Sequence, residues 1–265
     1  MISVNAKPID FTSFPDGTTS FRYDVDPTFS ADYFRIIWRY DGDHECILLW
    51  HLVNHIRSKV PAAIISLYMP YIPNARMDRV KKDDEVFTLK WFAKFINSME
   101  LDEVCVQDPH SDVSVALLDN VEVYDVVPVL KIVLEDMEEN GKSPIFCFPD
   151  EGAAKRYSSQ TDREYVFCVK HRDWRTGDIQ GLELMEPEKV SGKDVLIVDD
   201  ICSRGGTFTR TAKALKAAGA KSICLYVTHC ENTIEKGDIL TDGLIDTVYT
   251  TRSIYRGYNE KVVVV

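Results

Sequence analysis

The chain has 265 residues, 45% of them hydrophobic and 28% charged, the balance of a soluble globular protein with room for one large domain or two small ones. Its formal net charge of -11 argues against sequence-independent binding to nucleic acid, although local basic clusters can still serve an anionic substrate. No apolar run approaches membrane-spanning length and the first residues lack a basic-then-apolar leader, so a cytoplasmic protein with no membrane contact is expected.

Taken in chain order, the first punctuated segment is Phe14-Pro-Asp-Gly-Thr18, a turn-like loop. A strand-length apolar run follows at residues 34–38. Residues 44–59 place Leu48, Leu49, Leu52, Val53 and Ile56 on one helical face. Strand 63–67 leads into a proline-rich turn holding Arg76, Asp78 and Arg79. Residues 87–99 repeat the helical period, and strand 104–106 runs into Asp108-Pro-His110. Strand 121–126, helix 129–137 and strand 145–148 come next, the last ending in Pro149-Asp-Glu-Gly-Ala153 before another helix start. Strand 165–169 is followed by Lys170-His-Arg172 and a polar stretch, 173–193, expected to be partly mobile. Strand 195–198, helix 207–218 and strands 223–227 and 262–265 complete the pattern.

Strands alternating with amphipathic helices predict an α/β fold with largely parallel central sheets. A faint duplication suggests two similar domains, 1–126 and 127–265. The seven cysteines are odd in number, lack a C-x-x-C and mostly sit in apolar runs. They read as reduced and buried, and Cys202 reads as a packing residue.

The most informative segment is Lys193 to Thr207. An apolar strand ends in adjacent carboxylates, Asp199 and Asp200, and Ser203, Arg204, Gly205, Gly206 and Thr207 then open a helix. Backbone N–H groups of such a loop, with the helix dipole behind them, favour a phosphate. The carboxylates suit ribose hydroxyls or Mg²⁺. No Gly-Lys-Ser/Thr follows the glycines, so this is not a Walker loop. The plainer alternative is a strand-to-helix turn with a solvated acidic end.

Other segments read two ways by themselves. Arg76 and Arg79 can grip phosphate oxygens or belong to a solvated basic turn. Asp108 and His110 can hold a divalent cation, or His110 can cap a turn. Asp150 can serve a ligand, cap a helix, or do both. Lys170 and Arg172 can supply fixed charge or sit in an ordinary basic turn.

In this order and spacing the segments resemble the ribose-phosphate pyrophosphokinase family, which has the type I phosphoribosyltransferase fold. The resemblance runs from about Phe14 to the C-terminus. It implies two phosphoribosyltransferase-like domains and a diphosphokinase acting on Mg·ATP and ribose 5-phosphate, or a related ribose compound. The implied ATP contacts are Phe14, Asp16, Arg76, Asp78, Arg79 and His110. The implied ribose-phosphate contacts are Asp150, Asp199, Asp200, Ser203, Arg204, Gly205, Gly206 and Thr207. Lys170 and Arg172 would be catalytic, His110 and Asp150 would stand at Mg²⁺, and a homo-oligomer (dimer or hexamer) would share the ATP site. Three departures stand out. Thr18 replaces the family's glutamate, Arg204 brings a charge into the phosphate loop, and the sequence before Phe14 looks too short for the family's first strand. The alternatives are the same chemistry on a larger acceptor such as ADP-ribose, a nucleobase phosphoribosyltransferase, or a silent regulatory subunit.

Overall fold

A computed structural model describes residues 1–25, 32–161, 163–172 and 179–265, with the side chains of 171–172 and 179–180 outside the description. The chain divides into two units, Met1–Asp125 and Val126–Val265.

In the first unit, β1 (Ile2–Val4), β2 (Lys7–Pro8), β3 (Phe11–Ser13), β4 (Thr19–Phe21) and β5 (Tyr33–Trp38) precede α1 (His44–Lys59). Then come β6 (Ile64–Tyr68), α2 (Thr88–Asn97), β7 (Glu103–Gln107), α3 (Asp112–Leu117) and β8 (Val121–Tyr124). The main sheet has the order β2-β1-β5-β6-β7-β8, and β5 to β8 are parallel. The apolar faces of α1 and α2 explain their place. Leu49, Leu52 and Ile56 of α1 and Ile96 of α2 are buried in one core with Ile36, Trp38, Ile65 and Leu67. Burying each such side chain contributes about 1.5–3 kcal/mol.

The expectation that the sequence before Phe14 is too short for a first strand is corrected here. Ile2–Val4 forms β1, antiparallel to β5, with Ile2 opposite Trp38. Ile2 and Val4 are buried while Ser3 is half-buried, so three residues with period two are enough to join an existing sheet. The Phe14–Thr18 segment is a turn, as expected, at the tip of a separate hairpin, β3 with β4.

In the second unit, α4 (Val127–Glu139), β9 (Pro144–Phe148), α5 (Glu151–Tyr157), β10 (Tyr165–Arg172) and β11 (Ile179–Leu184) are followed by β12 (Asp194–Cys202). Then come α6 (Gly206–Ala217), β13 (Ser222–Cys230), β14 (Thr247–Thr250) and β15 (Val262–Val264). The sheet order is β11-β10-β9-β12-β13-β14-β15, parallel except for β11. Residues of β13 are buried throughout, between one core containing Phe208 and Leu215 of α6 and another containing Leu130 and Val133 of α4. Both faces being covered explains its unbroken apolar run. Part of the polar stretch after Arg172 is therefore a strand, β11, paired from Cys168 with Leu184 to Arg172 with Ile179. Residues 173–178, including Gly177, lie outside the described residues. Among the described residues, no helix is long and apolar enough to cross a membrane.

Candidate active site

Strand order reverses beside β9: β10 lies on one side of it and β12 on the other. In open parallel sheets, ligands bind beyond the carboxyl ends of strands at such a point. Asp150 follows β9, Lys170 lies near the end of β10, and the Asp199–Asp200 pair lies near the end of β12.

Asp150 is the N-cap of α5, and its Oδ1 accepts from the Ala153 N–H at 2.9 Å. Its Oδ2 accepts from Lys170 Nζ at 2.6 Å. Burial opposes ionisation of Asp150, but the Lys170 bond and the Ala153 and Gly152 N–H groups outweigh it and hold the carboxyl below its usual range. Of the alternatives for Asp150, the helix cap is observed, and the second carboxylate oxygen is taken by Lys170.

Asp199 and Asp200 were expected beyond a strand ending at Val198. They lie inside β12, which continues to Cys202 through pairing of Asp199 with Val227 and Cys202 with Cys230. Side-chain polarity misplaces the end, because the β13 neighbour is long enough to keep pairing past the acidic residues. Asp200 is buried, and Arg156 Nη1 lies 3.4 Å from its Oδ1. Asp199 is half-buried. Burial first, then the charges of Asp200 and Asp150, push its carboxyl well above the usual range. Asp150 is near enough to act on Asp199, and Lys170 and Arg156 stand beside Asp150 and Asp200. The oxygen donors of the three carboxylates fit a hard divalent cation such as Mg²⁺.

Beyond β12, Gly205 takes φ +80 and caps α6. A Cβ there would lie 2.7 Å from the Ile239 side chain, so both conformation and space call for glycine. Gly206 and Thr207 open α6, and the first N–H groups of a helix have no partner within it and suit an anion. Arg204 and Gly206 are exposed, and Ser203 and Thr207 are half-buried. Cys202 is fully buried; its hydrogen bond with the Cys230 thiol and its burial raise its pKa, as suits a packing residue.

Arg156 was missed in the sequence reading. It stands on α5 six residues after Asp150, and its guanidinium lies 5.3 Å from the centre of the Tyr157 ring. The available signal was a basic residue one and a half turns beyond a capping carboxylate, which is too common to single out. The Arg172 side chain lies outside the described residues.

In the first unit, Arg76, Asp78 and Arg79 follow β6, and His110 follows β7. Arg79 Nε lies 3.0 Å from Asp78 Oδ1. Burial alone would raise the Asp78 carboxyl, but Arg79, with His110 adding to it, holds the carboxyl below its usual range. The structure thus brings Asp78, Arg79 and His110 into one neighbourhood, with Arg76 exposed on the same loop. Phe14 and Asp16 stand apart at the β3–β4 tip, where Phe14 is 55% exposed. Asp16 Oδ1 accepts from the Thr18 hydroxyl at 2.7 Å and the Thr18 N–H at 2.9 Å, which lowers its pKa. Thr18, where the family has glutamate, closes this turn.

Among the described residues, Glu103, Cys105 and Glu122 bring their ligand atoms within 4.8 Å of one another; His110 and Asp150 form no such group.

The description "Phosphoribosyl transferase domain" matches residues 152–242. A ribose-phosphate pyrophosphokinase of Sulfurisphaera tokodaii is 28% identical over 261 residues, covering 96% of this chain and 87% of that protein. One of Vibrio parahaemolyticus is 31% identical over 207 residues, covering 74% of this chain and 63% of its own length. Over nearly its whole length the chain is similar to ribose-phosphate pyrophosphokinases, which are enzymes. The phosphoribosylpyrophosphate synthetase of Mycobacterium smegmatis shares its fold, with a TM-score of 0.78, 17% identity, and coverage of 97% of this chain and 85% of that one. The family fold therefore spans nearly the whole chain, beyond the segment matched by the phosphoribosyl transferase description.

Proposed function

We propose that the chain transfers the β,γ-diphosphoryl group of Mg·ATP to the C1 hydroxyl of ribose 5-phosphate. The products are 5-phosphoribosyl 1-diphosphate and AMP. The observation that carries this reading is the joining of two features on β12: the Asp199–Asp200 pair and, directly after it, the left-handed Gly205 loop at the start of α6. One suits ribose hydroxyls and the other a phosphate.

Asp150, Asp199, Asp200 and residues Ser203 to Thr207 hold the ribose phosphate. Phe14, Asp16, Arg76, Asp78, Arg79 and His110 hold ATP. The C1 oxygen forms a bond to Pβ while the bond from Pβ to the oxygen bridging Pα breaks. AMP keeps that oxygen, and the C1 hydroxyl proton is released. Mg²⁺, when bound, supplies positive charge to the triphosphate oxygens; His110 and Asp150 are its proposed partners, with Asp199 and Asp200 as further oxygen donors. Lys170 and Arg172 neutralise charge developing across the transferred group. Positioning and fixed charge supply most of the effect, so no covalent intermediate is needed. We place this chemistry in the cytoplasm, in a homo-oligomer.

Incubation with ATP labelled at the β-phosphorus tests the bond that breaks. The label should appear in the sugar product and be absent from AMP. Label left in a nucleoside diphosphate would mean transfer of the γ-group alone.

Arg204 favours a second reading. Its exposed guanidinium on the phosphate loop suits an acceptor with a further phosphate, such as ADP-ribose, under the same chemistry.

A further inference from the structure

We infer that the segment after β13, residues 231–239, is a template that sets the shape of the phosphate loop, with Thr233 and Gly237 as positioning residues. The inference rests on reading residues 203–207 as the loop that takes the 5-phosphate. Four successive residues, 202 to 205, each meet one residue of this segment. The Glu231 N–H donates to the Cys202 carbonyl at 2.8 Å. The Ser203 and Thr233 hydroxyls lie 3.0 Å apart. Gly237 packs so closely on Arg204 that a Cβ would lie 1.9 Å from the Arg204 carbonyl oxygen. The Ile239 side chain covers Gly205, as described above.

The direction of the hydroxyl contact follows from proton counting. Thr233 has one hydroxyl proton, and it donates to Glu231 Oε2 at 3.0 Å. Ser203 must then be the donor to Thr233. The Ser203 rotamer is thus set from outside its own loop by a relay, Ser203 to Thr233 to Glu231. The segment is itself anchored. The Asn232 Oδ1 accepts from the N–H groups of Arg256 at 2.7 Å and Gly257 at 3.1 Å. A phosphate arriving at such a loop finds it already shaped, so less ordering is lost on binding.

Isothermal titration of ribose 5-phosphate and, separately, of ATP tests this on the full chain and three variants. Thr233→Val removes the acceptor of the Ser203 proton and leaves a similar volume. Thr233→Ser keeps the hydroxyl. Gly237→Ala forces the loop away from the segment. Thr233→Val and Gly237→Ala should each weaken ribose 5-phosphate about five- to tenfold, the loss of one well-placed hydrogen bond. Thr233→Ser should bind within about twofold of the parent, and ATP affinity should stay unchanged in all three. Should Gly237→Ala fail to fold by circular dichroism, the Thr233 pair decides by itself. Unchanged ribose 5-phosphate affinity in Thr233→Val, or a parallel fall in ATP affinity, overturns the template. A parent chain that binds ATP but no ribose 5-phosphate overturns the reading of the loop itself, and the template with it.

Discussion

Lys170 Nζ lies 2.6 Å from Asp150 Oδ2, and the pair joins the end of β10 to the cap of α5. The Lys170 side chain is 14% exposed and that of Asp150 36%, so the lysine is the better shielded of the two. In this state Asp150 neutralises the lysine. On the proposed reaction Lys170 exchanges that carboxylate for oxygens of the transferred group, and a cation in the ribose site compensates Asp150. The pair stores a charge and aims it.

Lys170→Ala should therefore lower kcat by about 10²–10³ and raise KM for ATP little, because the charge meets its partner only as the reaction proceeds. Steady-state kinetics decides. A change confined to KM would make Lys170 a ground-state binding residue.

Asp200→Ala should abolish turnover and leave the far-ultraviolet circular dichroism unchanged. Near-normal activity would end its assignment to the ribose site. Arg156, 3.4 Å from Asp200, is expected to act through it. Arg156→Ala should raise KM for ribose 5-phosphate tenfold or more. Combined with Asp200→Asn it should add much less than the sum of the single effects. Strict additivity would show that the two residues act separately.

The α/β class, most strands of both parallel sheets and the four long helices were legible in the sequence, because each buries a continuous run or a periodic face. The start of the fold was not. Three residues of β1 carry too little pattern to stand out, and they become a strand only because β5 offers an open edge. β14, Thr247–Thr250, is only one residue longer and is sandwiched by its neighbours. Of the proposed site residues, Asp150, Asp199 and Asp200 were picked out by the glycines and strand ends beside them, and Lys170 only by the family resemblance. Arg156 and Thr233 were not, since their roles rest on contacts made across the fold.

Asp194 ties the start of β12 to its neighbours. It accepts from Ser222 Oγ at 2.7 Å and the Ser143 N–H at 3.3 Å, and Lys221 Nζ lies 3.4 Å away. Burial alone would raise its pKa, but these partners outweigh burial and lower it. A depressed carboxyl contributes stability that is present above the unfolded pKa, about 3.9, and is lost as pH falls through the folded value. Asp194→Asn should cost about 1–2 kcal/mol at pH 7, a fall in Tm of roughly 2–8 °C. The gap should close toward pH 3 in a calorimetric series. A gap independent of pH would assign the loss to packing.

Phe14 is more than half exposed at a hairpin tip, where an aromatic ring gains nothing from its own chain. In the proposed homo-oligomer, at least a dimer, it walls a neighbour's adenine site. Phe14→Ala should then raise the ATP dissociation constant about tenfold, as expected for roughly 1–3 kcal/mol of buried ring. The effect should depend on assembly, followed by light scattering across protein concentration. A fully active monomer with unchanged ATP affinity would leave the tip an ordinary turn.

Mass spectrometry of the products, with ribose 5-phosphate and in parallel with ADP-ribose, tests the diphosphoryl transfer from ATP. AMP and 5-phosphoribosyl 1-diphosphate should form in equal amounts in the first reaction. AMP formed with ADP-ribose and none with ribose 5-phosphate would give the acceptor to the larger sugar, and no AMP in either reaction would contradict the enzyme assignment.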